Sequence, residues 1–473
     1  MKSFLHSCIN VKDCGALGDG VHLDTAAIQS ALDACAGRGG GTVYFPPGSY
    51  LSGTLRLRSR VTVQIGAGAT LQGSSDPQHF EYIQPKVWSR VDMRPTRAFL
   101  YAEDEQQLTL SGEGTIDGGG NSPAFTTNLK DTDNLRPYCL HIVNCRQVTV
   151  RDLCLQNSAM WMQRYLQCDE VRLTGLRIHN HATWNNDGMD LDGSSNVVVS
   201  DCILDTSDDG ICLKSEGRSP SRNITVTNCL ISSHASAIKF GTGSIGGFEN
   251  VVVSNCVVRP SQSKKMVHPL AAWGLEAWGG LAGIDLAATD GGALRHCLFN
   301  NIVIQGVETA INVRLGNRLS QSIDFQGYGG QQPPVADGKD AVSPSRIENV
   351  TFDNIEAWDI GPYAGVIISG YEGNPVRELT LRNVAVRCLR PSNAAEMQKP
   401  ISWATNGYPG NRMNNHHLPG YGLMLSHIAG IRLERLRVWP AEGDPRHPHF
   451  LREVRDLESL DCRPAVEFSS VQA

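Results

Sequence analysis

The sequence predicts an all-β protein, a single-domain right-handed parallel β-helix with an N-terminal capping helix. Short β-branched triplets begin at residues 148, 171, 197, 224 and 251, each with another apolar residue five positions after its first residue. Intervals of 23, 26, 27 and 27 residues, without helical periodicity, are typical of a β-solenoid with stacked coils. The 48 glycines suit its many tight turns. A leucine-rich repeat is not indicated, because its Leu-x-x-Leu-x-Leu pattern is absent.

The first element is a predicted amphipathic helix over residues 24–36, DTAAIQSALDACA. Asp24 is a suitable N-cap, and the helix carries one apolar stripe. The stripe consists of Ala27, Ile28, Ala31, Leu32 and Cys35. Because a solenoid end needs a cap, we assign residues 1–50 to the cap and the first strands. The alternative is an ordinary α/β segment, but no second βα unit follows.

Central coils are predicted over residues 140–260. An asparagine directly precedes three of the triplets: Asn196, Asn223 and Asn250. Weaker copies of the triplet begin at Val350, Leu379 and Ile431, with longer gaps between them. These gaps predict loops at about 261–283, 315–346 and 390–420, which are too long for simple turns and are expected to wall a binding cleft. The whole chain, residues 1–473, is predicted to be one domain.

Composition limits the possible functions. A net charge of −6 and a pI near 6.2 argue against a nucleic-acid partner, which would require a basic face. No membrane partner is predicted, because no run of about eighteen apolar residues is present. The N-terminus has no apolar stretch of signal-peptide length. The protein is expected in the cytoplasm if Met1 is native, and in the periplasm or secreted if a signal peptide was removed. Oligomeric state is not indicated.

The 14 cysteines are spread along the chain, and no Cys-x-x-Cys pair indicates a structural zinc site. Cys202, Cys229 and Cys256 each follow an aspartate or asparagine at the same place in the repeat. We therefore expect stacked, buried thiols that pack as small hydrophobic side chains.

Three successive coils share one alternation of residues. The segments are DGMDLDG at 187–193, DGICLKS at 209–215 and SAIKFGT at 236–242. Two inward columns are expected, Met189 with Ile211 and Ile238, and Leu191 with Leu213 and Phe240. Three outward columns follow: Asp187, Asp209 and Ser236; Asp190, Cys212 and Lys239; Asp192, Lys214 and Gly241. With coils about 4.8 Å apart, Asp187, Asp208 and Asp209 fall on one patch beside Lys214 and Lys239.

Carboxylates this close repel one another, so at least one should have a raised pKa. A protonated acid beside an ionised base is what cleavage of a glycosidic bond requires. Carboxyl groups lie roughly 6.5–9.5 Å apart in inverting enzymes and about 5–5.5 Å apart in retaining ones. Side chains from adjacent coils can reach the larger separation. A solvated strand corner or a calcium site is the alternative for the aspartates, and a solvent-exposed surface charge is the alternative for each lysine.

The chain resembles the glycoside hydrolases of family 28, the polygalacturonases and rhamnogalacturonan hydrolases. NNDGMDLDG, with Asn186, Asp187 and Gly188, is similar to the Asn-Thr-Asp motif of that family, and SDDGICLKS is similar to its Gly-Asp-Asp motif. VKDCGALGDGVHLDTAAIQSALDAC and the following GGGTVYFPPGSYLSGTLRLRSRVTVQIGAGATLQGS are similar to the N-terminal region of the family. INVRLGNR and LPGYGLMLSHIAGIRLERL are similar to its bacterial branches.

The resemblance implies inverting hydrolysis of α-glycosidic bonds in a pectic polysaccharide or oligosaccharide, with no metal and no organic cofactor. By the same resemblance, Asp208 is the general acid, and Asp187 and Asp209 hold and deprotonate the attacking water.

Two departures from polygalacturonases favour a rhamnogalacturonan hydrolase or a specialised exo-enzyme. The Gly-His-Gly motif of polygalacturonases is missing: Ser236 stands at its place, with His234 two residues earlier. Their Arg-Ile-Lys motif, which grips a galacturonate carboxylate, has its nearest counterpart in GIDLAATDGG, which supplies neither cation. Rhamnogalacturonan hydrolases also lack the histidine motif. Exo action is the preferred expectation.

Other residues are candidates for binding the sugar. Trp161 can stack on a sugar ring, and Arg164 can pair with a uronate in bidentate fashion. The remaining candidates are Lys214, Lys239, His234, Arg314 and Arg318. Two alternatives to a hydrolase stay open: a polysaccharide lyase, in which Lys239 is the base, and a non-catalytic carbohydrate-binding β-helix.

Overall fold

The computed structural model describes residues 8–92, 95–125, 135–265, 280–318, 343–401, 403, 405, 410–411 and 418–466. Within them, 34 strands form one continuous sheet. The strand pairings are parallel except for one antiparallel pair near the N-terminus. Together with the right-handed sense of parallel crossovers, this confirms the predicted parallel β-helix.

The first coils are built from short strands, and helix α1 is Thr25–Gly37. The strands are β1 Cys8–Asn10, β2 Asp19–Leu23, β3 Gly41–Phe45, β4 Gly48–Ser52, β5 Leu55–Arg56, β6 Val61–Ile65, β7 Ala69–Gly73, β8 Tyr82–Ile83, β9 Thr96–Glu103, β10 Gln106–Gly112 and β11 Thr115–Asp117.

The central coils contain three strands each, so that each strand from β12 to β22 pairs with the third strand after it. They are β12 Pro137–Val143, β13 Arg146–Arg151, β14 Cys154–Gln156, β15 Gln163–Leu166, β16 Asp169–Thr174, β17 Arg177–Asn180, β18 Met189–Asp192, β19 Ser195–Ser200, β20 Ile203–Thr206, β21 Ile211–Ser215, β22 Ser221–Thr227, β23 Leu230–Ser233 and β24 Ser236–Ser244.

In the last coils, longer strands turn a corner and cover two faces, so pairing is mostly with the second strand after. They are β25 Phe248–Arg259, β26 Ala282–Ala288, β27 Ala293–Gln305, β28 Thr309–Leu315, β29 Arg346–Ile360, β30 Val366–Ser369, β31 Val376–Cys388, β32 Gly420–Glu434, β33 Arg437–Trp439 and β34 His447–Leu460. A short helix α2, Ala394–Met397, precedes β32.

Helix α1 caps the N-terminal end as predicted, burying Ile28, Leu32 and Cys35 against the core. Asp24 occupies the N-cap position of α1, as the sequence predicts. The side chain of Asp24 makes no cap hydrogen bond to α1. It accepts instead from the backbone N–H groups of Leu17 at 2.7 Å and Gly18 at 3.0 Å, which ties the preceding loop to the helix start.

The corners of the coils explain the asparagines of the repeat. Asn196, Asn223 and Asn250 all have φ of 55°, a left-handed conformation that asparagine tolerates well. Their amides form a ladder in which Asn250 donates to Asn223 over 3.2 Å and Asn223 donates to Asn196 over 3.1 Å. Each step of the ladder aligns one coil on the next.

The predicted cysteine column is present. Cys202, Cys229 and Cys256 are buried in successive coils. All 14 cysteines lie in the described residues, and none forms a disulfide. The thiols therefore pack as small hydrophobic groups within the main core.

Of the predicted loops, residues 266–279, 319–342 and most of 402–417 lie outside the described residues. No described helix is long and apolar enough to cross a membrane. The single-domain assignment over residues 1–473 stays a prediction.

The first strand of each central coil, such as β18, β21 and β24, is buried on both faces, including the face that points away from the solenoid core. The register pairs Met189 with Ile211 and Ile211 with Ile238, as the sequence predicts. Polar side chains alternate with these residues and point outward. Residues 76–92 cross part of this face, where Ser89 and Asp92 contact Arg164 and Arg90 contacts Glu216. The candidate site lies on this outward face.

Candidate active site

Asp187, Asp208 and Asp209 come together where β18 and β21 begin. One carboxylate oxygen from each lies within 4.8 Å of the other two. Gly188 donates from its N–H to the carbonyl of Asp209 over 2.9 Å. A Cβ at Gly188 would lie 2.6 Å from the carbonyl oxygen of Gly210, so only glycine permits this approach. The stacking inferred from the sequence therefore holds at the three aspartates.

Each carboxylate has its own support. Asp208 accepts at 2.9 Å from the backbone N–H of Asp209, and its other oxygen lies 3.5 Å from the Asn185 amide nitrogen. Asp209 accepts from the N–H of Ser236 at 3.1 Å. Asp187 lies 3.5 Å from the ammonium of Lys214. Of the three, Asp208 is the most exposed, at 8%.

Burial and mutual repulsion raise the pKa of two of these carboxyl groups. The pKa of Asp187 lies well above its ordinary value because of burial, and the charges of Asp190 and Asp208 add to the effect. Burial also raises the pKa of Asp209 to about 6, although the nearby Lys239 acts in the opposite direction. The cluster therefore retains a proton near neutrality, as the sequence analysis expects.

Lys214 lies inside the cluster rather than on the surface. Its ammonium is 3.1 Å from Asp190 and 4.6 Å from the centre of the Trp161 ring. Asp190, which sequence reasoning missed as a functional residue, is buried, and this burial raises its pKa to about 7. The alternative of an exposed lysine is therefore wrong. Lys214 offsets the negative charge of two aspartates.

Arg164 is not open to a sugar, whereas stacking of a sugar on the largely buried Trp161 stays a prediction. Trp161 is only 7% exposed and packs against Tyr138. Arg164 is fully buried between Asp92 and Asp192, each at 2.6 Å, and also donates to the Ser89 hydroxyl. The expectation that Arg164 pairs with a substrate uronate is wrong, because protein carboxylates already hold its guanidinium. Its contacts fasten residues 76–92 over the strands.

Lys239 is also buried, which excludes a solvated surface charge. It forms an ion pair with Asp285. Asp285 further accepts from Asn312 at 2.7 Å and from the Ser236 hydroxyl at 3.2 Å. Ser236, at the place of the family histidine, thus joins Asp209 to this ion pair. Asp285 and Asn312 were missed because their partners are separated in sequence by long loops.

His234 belongs to a different cluster. Its ring packs edge-on against His181 with centres 5.0 Å apart, and its Nε2 lies 3.1 Å from the carbonyl oxygen of Ser263. His181 pairs with Asp205 at 3.0 Å. His234 thus packs in a cluster with His181 and Asp205, and a role for it in place of the family histidine stays a prediction.

The arginines of β28 and beyond lie farther along the same outward face. Arg314 is buried and lines a separate cavity. Arg318 forms an ion pair with Asp290 and donates to the Thr242 hydroxyl at 3.1 Å.

Arg136, Trp184 and Asn185, which were not predicted as site residues, form a group next to Asp208. Arg136 donates to the backbone carbonyl of Trp184 over 2.6 Å and to the side-chain amide oxygen of Asn185 over 3.3 Å, and it lies 4.3 Å from the centre of the Trp184 ring. Asn185 and Trp184 immediately precede the predicted motif, and that adjacency was the available signal.

Three described groups have donor atoms close enough for a metal ion. They are His179 with His181 and Asp205, Asp187 with Asp190 and Cys212, and Asp187 with Asp208 and Asp209. In the latter two, the Lys214 ammonium already provides positive charge beside Asp187 and Asp190, which disfavours a second cation.

The chain is similar in sequence and in fold to known proteins. Residues 35–269 match the model of "Glycosyl hydrolases family 28". A "Probable polygalacturonase" of Vitis vinifera is 28% identical over 215 residues, which are 43% of this chain and 43% of that protein. An "Exo-poly-alpha-D-galacturonosidase" of Dickeya chrysanthemi is 27% identical over 251 residues, covering 43% and 41% of the two chains.

Among solved structures, the family 28 exopolygalacturonase of Yersinia enterocolitica superposes with a TM-score of 0.67 and 20% identity. The match covers 96% of this chain and 78% of that one, and it shows a common fold. The chain spans less than half the length of the curated relatives above. The matched family region includes all three aspartates of the site. Over residues 35–269, the chain therefore belongs to the glycosyl hydrolases of family 28.

Proposed function

We propose that the protein is an inverting glycoside hydrolase that cleaves α-glycosidic bonds in pectic galacturonan or rhamnogalacturonan chains, acting from a chain end. The observation that carries the proposal is the trio of buried carboxylates within 4.8 Å of one another, with the pKa of Asp187 and Asp209 raised. The three carboxyl groups titrate together and share the retained proton, so the cluster can supply both a proton and a base.

In this proposal, Asp208 gives its proton to the glycosidic oxygen as the bond to the anomeric carbon breaks. Asp187 and Asp209 hold a water molecule and take one proton from it as it attacks that carbon. The greater exposure of Asp208 suits contact with the leaving sugar. The nearest oxygens of the three carboxylates lie within 4.8 Å of one another, and the wider separation that inverting enzymes have between their carboxyl groups stays a prediction. Inversion is proposed from the family resemblance alone.

Exo action has two supports. One relative bears that activity in its name. In addition, Asp285 lies where polygalacturonases have a cationic clamp, and it is engaged with Lys239. A site without that clamp grips an internal galacturonate less firmly.

The test is product analysis on a panel of galacturonan and rhamnogalacturonan oligosaccharides. We expect new reducing ends, release of short products from one chain end, and an initial product of inverted anomeric configuration by NMR. An unsaturated, UV-absorbing product would indicate a lyase instead, and binding without cleavage would indicate a carbohydrate-binding protein. Asp208→Asn should abolish cleavage while the melting temperature stays close to wild type. Full activity in that variant would remove Asp208 from the role of acid.

A further inference from the structure

A second site on the outward face is built from one column of side chains. Arg314, Ser369, Ser426 and Arg452 pair in register across four successive strands, β28, β30, β32 and β34. With strands about 4.8 Å apart, the two arginine Cα atoms lie about 14 Å apart. The small serines between them leave a recess with a cation at each end.

A cavity of about 230 Å³ occupies this recess. We call it the Arg314 pocket; its other lining residues include Tyr371, Glu372, Trp403, Thr405 and His427. At roughly 30 Å³ for each water, the cavity holds about seven or eight waters. That is below the roughly 300–1,000 Å³ of pockets for larger ligands. The volume suits one sugar ring rather than an oligosaccharide.

The lining offers groups suited to an acidic sugar. Arg314 is only 4% exposed, and burial lowers its pKa to about 10, with Asp285 acting in the opposite direction. Guanidinium groups bind carboxylates in bidentate fashion. Trp403 adds an aromatic wall, held with Arg452 4.1 Å from its ring centre and His427 at its edge.

The pocket lies on the same face as the three aspartates. Strand β28 follows β21 through β24 and β26, so three strand spacings, about 14 Å, separate the two strands. A chain cleaved at the aspartates would therefore reach the pocket with a sugar several units from the broken bond.

We propose that the Arg314 pocket binds one uronate residue of the pectic chain, with Arg314 and Arg452 gripping its carboxylate and Trp403 bordering its ring. The identity of the chain rests on the proposed function, whereas the affinity for a uronate does not.

The first test is calorimetric titration of the full chain with galacturonic acid, using galactose and inorganic phosphate as probes of selectivity. We expect galacturonate to bind with one event that is weakened at least tenfold by Arg314→Gln and by Arg452→Gln. Arg452 is less buried, so its variant keeps the test valid if Arg314→Gln fails to fold. Arg387→Gln is the matched control, because Arg387 lies 4.2 Å from the Trp439 ring centre outside the pocket.

The second test measures kcat/KM on oligogalacturonides of increasing length. In wild type, kcat/KM should increase once the chains are long enough to reach the pocket. This increase should be at least tenfold smaller in Arg452→Gln and unchanged in Arg387→Gln. Unchanged galacturonate binding in both pocket variants, or equal binding of galactose or phosphate, would overturn the proposal. Absence of hydrolysis would count against the proposed function only, because the titration decides the pocket independently.

Discussion

Lys239 acts on the site through charge. It is 1% exposed and ion-paired with Asp285, while its field lowers the pKa of Asp209 against the effect of burial. Lys239 and Asp285 are thus positioning residues, and they influence Asp209 in opposite directions.

Removing either charge should move the pH dependence of hydrolysis. Because Asp209 must be ionised to act as base, kcat/KM should rise with pH through about 6, the pKa of Asp209. Lys239→Met removes the cation, raises that pKa and shifts the rise to higher pH. Asp285→Asn removes an anion and shifts the rise to lower pH. The pH–rate profiles of both variants measure these shifts. If the two residues had a purely structural role, kcat/KM would fall at every pH and the profiles would not shift in opposite directions.

The ionised form of Asp209 should lower the free energy of unfolding at neutral pH. Its pKa is raised from 3.8 to about 6, so the folded state binds this proton more tightly than the unfolded chain. Stability from this group is therefore present at low pH and lost as pH rises through about 6. The free energy of unfolding of Asp209→Asn should exceed that of wild type by about 3 kcal/mol at pH 7.5, with little difference at pH 4.

Asp353→Asn is the control with the opposite sign. Its ion pair with Arg382 lowers the pKa of Asp353, so this carboxylate stabilises the protein above its ordinary pKa. The variant should lose stability at pH 7.5 and less at pH 4. The same pH trend in both variants would contradict the assignment for Asp209.

At the scale of elements, the asparagine ladder determines how coils align. Asn223→Ala should destabilise the protein by about 1–2 kcal/mol, because it removes two side-chain hydrogen bonds and leaves alanine at φ of 55°. Asn223→Gly loses the same bonds without that backbone strain, so it should cost less. Urea unfolding of the two variants measures the difference, and a glycine variant as unstable as the alanine variant would refute the strain contribution.

The sequence predicted the elements that repeat and missed those that do not. The register of β18, β21 and β24 followed from alternating apolar residues, and that register brought Asp187 to Asp208 and Asp209. No periodicity marks the crossing of residues 76–92, which buries Arg164 through Asp92, 72 positions earlier. Because the sequence does not reveal this crossing, it predicts that Arg164 is accessible. A local pattern cannot report a contact made by a single non-repeating segment.

For the whole molecule, the core is held without covalent cross-links. Of the 14 free cysteines, Cys8 is exposed, three are partly buried, Cys14, Cys154 and Cys462, and the other ten are buried. Iodoacetamide should therefore label at most four thiols in the native protein and 14 after denaturation, as counted by mass spectrometry. Reducing agent should leave the melting temperature unchanged. Rapid native labelling of Cys229, inside the column, would show that the coils open locally.

The regular spacing of the stacked strands also determines the distances between groups along the axis of the molecule. Any two groups on the outward face are separated by a whole number of steps of about 4.8 Å along the axis. Adding or deleting one complete coil between β21 and β28 would move the Arg314 pocket by one step while leaving both ends internally unchanged. The length of chain that such an enzyme measures could thus change in discrete increments, without altering a single catalytic residue.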